Sequence, residues 1–129
     1  MTVKPKSEAE IQHEIRLQLG QRPDVVLFRN ECGVATYERG GRTYTVRYGL
    51  AKGSADLIGV RRRNVRCECC GGQAGTVGQF VALEVKKASG KVSLHQKQWL
   101  SLIRKYGGLA GAVRSVEEGL NVLGISDED

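Results

Sequence analysis

The sequence predicts an α/β domain: a mixed central sheet of about four strands flanked by helices on both faces, with an extra β-hairpin. Three observations carry this expectation. Apolar residues recur at helical spacing in three segments, and short aliphatic runs of strand length lie between them. The order along the chain is helix, three or four strands, helix, strand, helix. A length of 129 residues, with no internal repeat or linker, fits one domain over residues 1–129. Hydrophobic residues make up 40% and charged residues 26%, a globular balance, and with only 5% aromatics the core must be mostly aliphatic.

The first helix begins at Ser7-Glu8-Ala9-Glu10, which has the form of a capping box. Ile11, Ile15 and Leu19 follow on one stripe, and Gly20 and Pro23 close the segment. At about 100° per residue Glu8 projects onto that stripe, while Glu10 and Glu14 point away. Val25 to Phe28 is a short apolar strand. Val34 to Tyr48 is polar, rich in Thr and Tyr, and folds at Gly40-Gly41 as a hairpin. Ala55 to Val60 is the next strand, reached through Lys52-Gly53-Ser54. Residues 61–79, rich in Arg, Cys and Gly, read as a long loop. Phe80 to Val85 is the most hydrophobic strand. Ser93 and Gln96 offer a second capping box, whose helix is expected to bury Trp99, Leu102, Ile103 and Tyr106 and to stop at Gly107-Gly108. Leu109 to Val113 forms the last strand and Val116 to Leu123 the last helix.

One strand carries charge where apolar residues are expected. Phe80, Ala82, Glu84 and Lys86 share one face, and Val81, Leu83 and Val85 the other. A carboxylate and an ammonium thus stand two residues apart at the end of an apolar strand. If the strand holding Asp56 pairs with this one, Asp56 and Glu84 converge at one end of the sheet with Lys86 beside them. Hydrolysis of a phosphodiester needs such a group. A hard cation such as Mg²⁺, held by one or two carboxylates and several waters, neutralises phosphate charge and lowers the pKa of an attacking water. Lys86 would orient or help deprotonate that water and offset charge in the transition state. Glu8 could hold a metal-bound water or a second ion.

In order and spacing these residues resemble the PD-(D/E)XK nuclease signature. Gly53-Ser-Ala-Asp56-Leu-Ile-Gly is followed by Glu84-Val-Lys86. The closer similarity is to the VRR-NUC family of the restriction-endonuclease-like superfamily. Its supporting marks are Ser7-Glu8 with Ile11-Gln12, Arg29-Asn30 with Gly33, Lys52-Gly53, the run from Lys91 to Gln96, and Gly107-Gly108. The similarity runs from about Ser7 to Glu118. It implies a stand-alone Mg²⁺- or Mn²⁺-dependent DNA endonuclease, a homodimer acting on branched DNA such as four-way junctions. It further implies Asp56, Glu84 and the backbone carbonyl of Val85 as metal ligands, and Gln96 close to the active site, touching DNA or a metal-bound water. The family usually has Pro before the metal-binding Asp; here the residue is Ala55, a turn-shaping position that donates no ligand. Residues 61–79 depart further, since similar proteins join the two active-site strands by a short turn.

Plainer readings stand beside these. Glu84 and Lys86 could form a same-face ion pair, and Asp56 could be a turn residue, although an Asp at the second residue of an apolar strand argues against that. Glu8 would complement the helix dipole, and Gln96 would be explained by the capping box alone; one amide is not expected to cap and serve the site together. Cys67, Cys69 and Cys70 with Cys32 raise the possibility of zinc, but Cys-x-Cys-Cys lacks a second pair, so free thiols are favoured. Arg61, Arg62 and Arg63, with Lys52 and Lys87, are candidate DNA contacts, the arginines lying at a strand end beside the active site. Twenty Lys and Arg against 14 Asp and Glu give a charge of +6, which favours a polyanionic partner. The chain has no apolar run of membrane-spanning length and no apolar signal core, so the expected setting is the reducing cytoplasm of a bacterial or phage-infected cell. A rival from another class is a DNA-binding or interaction module that keeps the fold without cutting; a zinc-stabilised adaptor is a second.

Overall fold

A computed structural model of the chain describes residues 3–126. Helix α1 spans Glu8–Leu19 and buries Ile11, Ile15 and Leu19. Its N-terminal box is half made. The Ser7 hydroxyl oxygen accepts the Glu10 N–H at 3.2 Å, but the Glu10 carboxylate accepts a hydrogen bond from that hydroxyl at 3.3 Å instead of from a backbone N–H. Strands β1 (Val25–Arg29), β2 (Gly33–Arg39), β3 (Arg42–Tyr48), β4 (Leu57–Arg66) and β5 (Gln73–Val85) follow, then α2 (Leu94–Lys105), β6 (Leu109–Val113) and α3 (Val116–Leu123).

The main sheet has the order β1-β4-β5-β6. Strand β4 is antiparallel to both β1 and β5, and β6 runs parallel to β5 across the α2 crossover. The fold is therefore α/β with a mixed four-stranded sheet, and β2 and β3 form a separate two-stranded sheet. The alternation along β5 sorts the helices. Val81, Leu83 and Val85 join Ile11, Ile15, Leu19 and Leu123, so α1 and α3 cover one face. Ala82 lies on the other with Ala55, Ala110 and Leu100 of α2. Alanines under α2 leave room for Trp99 and let the helix sit close to the sheet.

Two expectations about packing need correction. Residues 61–79 are not a loop. Strands β4 and β5 continue as a ribbon out to Arg66 and Gln73, and only residues 67–72 turn. Arg and Gly lower strand propensity here, but each strand of the ribbon pairs with the other along its inner edge, and that pairing overrides it. Helix α2 buries Leu100 with Trp99 and Ile103 half-buried, whereas Leu102 and Tyr106 are 47% and 79% exposed. The inward stripe is Gln96, Trp99, Leu100 and Ile103, an i, i+3, i+4, i+7 set that puts an amide on the sheet-facing side.

Candidate active site

Asp56 lies one residue before β4, not within it. Its backbone carbonyl accepts the Asn30 N–H at 2.8 Å, which extends the β1–β4 pairing by one step. The Asn30 side-chain amide donates to the Ser54 hydroxyl at 2.8 Å and the Ala55 carbonyl at 2.9 Å, and so clamps the turn leading to Asp56. Gly53 completes that turn with φ +82°, and a Cβ on it would lie 2.7 Å from the His95 backbone carbonyl. The turn therefore docks directly on the first turn of α2.

Glu84 faces the same corner from β5. The register Leu57↔Leu83 carries Glu84 opposite Asp56. Its side chain is 3% exposed. Oε1 accepts a hydrogen bond from Gln96 Nε2 at 2.9 Å and lies 3.7 Å from Lys86 Nζ. Oε2 is buried without a hydrogen-bond partner. Asp56 Oδ2 accepts the Val85 N–H at 2.9 Å. In an antiparallel pair the N–H and C=O of one residue face the same neighbour, so the Val85 carbonyl also opens toward the Asp56 side, beyond the last β4 pair. Burial, then the Asp56 charge and its close contact, push the Glu84 carboxyl up to about 8; Lys86 pulls it down, and Glu8 adds a smaller upward push.

The other expected residues divide. Gln96 caps α2 and reaches the Glu84 corner at the same time. Its Oε1 accepts the Ser93 N–H at 2.9 Å and its backbone N–H donates to Ser93 Oγ at 3.2 Å, while Nε2 holds Glu84. An amide has an acceptor end and a donor end, and here each serves a different partner. Glu8 does not pack inward. It is the first residue of α1 and is exposed. It still acts on Glu84 through charge, whereas Glu14 pairs with Lys6 at 2.7 Å.

The arginines are not beside the site. Arg61 pairs with Gln79 five residues along β4 from Asp56, roughly 16 Å at strand rise. Its guanidinium donates to the Leu123 carbonyl at the end of α3 and lies 3.8 Å from Asp24. Arg63 binds Gln79 at 2.9 Å, and Arg62 is exposed. Lys52 and Lys87 are exposed in the segments next to Asp56 and Lys86. Sequence reasoning missed Arg114, whose guanidinium donates to the Gly90 carbonyl at 2.9 Å and ties down the turn after Lys86; no motif marks it. It also missed Arg39, Arg42 and Arg47, exposed on β2–β3 beside exposed Tyr37, Tyr44 and Tyr48. Their interleaving of arginine and tyrosine was the available signal.

The group fits a hard divalent cation. Glu84 Oε2 is a buried carboxyl oxygen without a hydrogen-bond partner, and Asp56 and the Val85 carbonyl add oxygens from the same corner. Among the described residues no three His, Cys, Asp or Glu side chains form a ready ligand cluster. Two carboxylates suit Mg²⁺, which keeps several of its waters. The four cysteines do not gather. Cys32 lies against Ser54 Oγ at 3.0 Å, and Cys67 to Cys70 occupy the far tip of the ribbon. No helix among the described residues is long and apolar enough to cross a membrane. Comparisons with protein-family models, with curated proteins and with solved structures give no match to this chain.

Proposed function

We propose that the chain is a metal-dependent DNA endonuclease with a restriction-endonuclease-like core, acting on branched DNA. The observation that carries this reading is the buried Glu84 carboxylate, with one oxygen held by Gln96 and Lys86 and the other unpartnered beside Asp56. A domain without catalytic demand gains nothing from two carboxylates and an ammonium at a strand end, because burying them costs stability. Bound Mg²⁺ or Mn²⁺ would neutralise phosphate charge and make water a competent nucleophile at neutral pH.

The chain's own residues supply the rest. Asp56 and Glu84 present oxygens, and the Asp56 position is fixed by the Val85 N–H and the Asn30 clamp. Gln96 orients Glu84 from α2, so the helix and strand cannot drift apart without losing that bond. Lys86, 14% exposed at its side chain, has a charged tip that can meet a phosphate oxygen and assist proton removal from the nucleophile. The β2–β3 hairpin joins the Asp56 turn through Cys32 and residues 49–55, and its exposed arginines and tyrosines are the residue types that hold phosphates and stack on unpaired bases.

The test is incubation with four-way-junction, flap and linear DNA in Mg²⁺, Mn²⁺ or EDTA. The expected outcome is cleavage of a branched substrate that EDTA abolishes. Binding without cleavage in either ion would overturn the endonuclease reading in favour of a non-cutting DNA-binding module.

A further inference from the structure

The tip of the β4–β5 ribbon carries three of the four cysteines, and the chemistry above uses none of them. Beyond a register shift between Val65 and Arg66, the chain turns through Cys67-Glu68-Cys69-Cys70-Gly71-Gly72. Two backbone bonds close the turn: Cys67 N–H to the Gly72 carbonyl at 2.7 Å, and Gly71 N–H to the Cys67 carbonyl at 2.8 Å. Gly71 adopts φ +71°, which only glycine takes without strain.

This closure aims a backbone donor at sulfur. The Gly72 N–H donates to Cys70 Sγ at 3.4 Å. Amide–sulfur bonds favour the thiolate, the form that binds metal. Cys67-x-x-Cys70 followed by two glycines thus presents two sulfurs on one turn. That is half of a tetrahedral zinc site. Even with Cys69 of the same turn the set stays one sulfur short, and the chain's remaining thiol is out of reach. Cys32 sits at the opposite end of β4, whose ten residues span roughly 30 Å.

We propose that Cys67 and Cys70 bind a soft divalent ion, zinc foremost, and that the same pair from a second copy of this chain completes the four-sulfur set, joining two ribbons tip to tip. A two-fold axis through the metal relates two identical pairs and satisfies tetrahedral coordination with no further residue type. Cys69 and Cys70 are exposed, as are the paired strand residues leading to the turn, so nothing in the fold shields the tip from a second one. Arg66 donates to the Gly71 carbonyl at 3.1 Å and places a positive charge at the turn, offsetting the net negative charge of a four-thiolate centre. This inference is independent of the nuclease reading.

The test titrates reduced, metal-free protein with Co²⁺ and then Zn²⁺, recording visible absorption and molecular mass by light scattering. The expected result is the absorption of tetrahedral cobalt thiolate, saturating at one ion for every two chains, with the mass doubling as it saturates. C67S and C70S each abolish both signals; C69S and C32S retain them, and melting curves establish that all four variants fold. Saturation at one ion per chain, or a mass that metal leaves unchanged, overturns the sharing between copies. Loss of the signal in C69S overturns the choice of Cys67 and Cys70, and absence of thiolate absorption in the parent overturns the site.

Discussion

Replacing Glu84 by Gln should stabilise the metal-free protein, and by an amount that grows with pH. The folded carboxyl is raised from 4.5 to about 8, chiefly by burial and by Asp56. Folding therefore favours the protonated form. That contribution is intact below about pH 4, declines as the unfolded chain ionises, and is lost as pH passes the folded value near 8. At about 1.4 kcal/mol per pH unit the cost of the ionised side chain is capped near 5 kcal/mol. Water entry and local relaxation around a buried charge take back part of it, leaving on the order of 2–3 kcal/mol. A Gln at this position keeps an oxygen for the Gln96 amide and gains an N–H₂ facing Asp56. For a chain of this length, Glu84→Gln should melt about 10 °C above the parent at pH 9 and close to it at pH 5. The assay is thermal unfolding by circular dichroism in EDTA across that range. A variant that melts below the parent at pH 9, or a difference that does not change with pH, would refute the account of Glu84.

Gln96→Ala removes both the N-terminal box of α2 and the donor to Glu84, so urea unfolding should show a loss of about 1 kcal/mol or more. Arg61→Ala should cost about 1–2 kcal/mol in the same assay, since it uncaps the Leu123 carbonyl, while DNA affinity measured by fluorescence anisotropy stays at the parent level. Arg39→Ala with Arg42→Ala should do the reverse, leaving stability unchanged and reducing the salt dependence of DNA binding by about two phosphate contacts.

The elements legible in sequence were those whose pattern is local. Ser7, Ser93 and the Ile11/Ile15/Leu19 stripe mark helix starts and a buried face without reference to the rest of the chain. The alternation of Val81, Leu83 and Val85 against Ala82 and Glu84 gave the two faces of the sheet, and with them the meeting of Asp56, Glu84 and Lys86. What escaped depends on partners distant in sequence. The ribbon beyond Arg61 is strand because β5 pairs with it, and nothing in an Arg-, Cys- and Gly-rich stretch announces that partner. Arg61 has the sequence context of a phosphate contact, but Asp24 and the end of α3, both distant in sequence, engage it. Sequence does not show that the two amide ends of Gln96 point apart, one to Ser93 and one to Glu84. The Asn30 clamp and the Arg114 tether likewise exist only once the strands are assembled.

Lys86 is proposed to act beside Glu84 and Asp56 in phosphodiester cleavage. The most direct measurement is the single-turnover rate of Lys86→Ala on a four-way junction in Mg²⁺, with folding checked by melting and DNA binding by anisotropy. The expected rate is at least about a hundredfold below the parent, with binding retained. A Lys86→Ala protein that cuts as fast as the parent would contradict it.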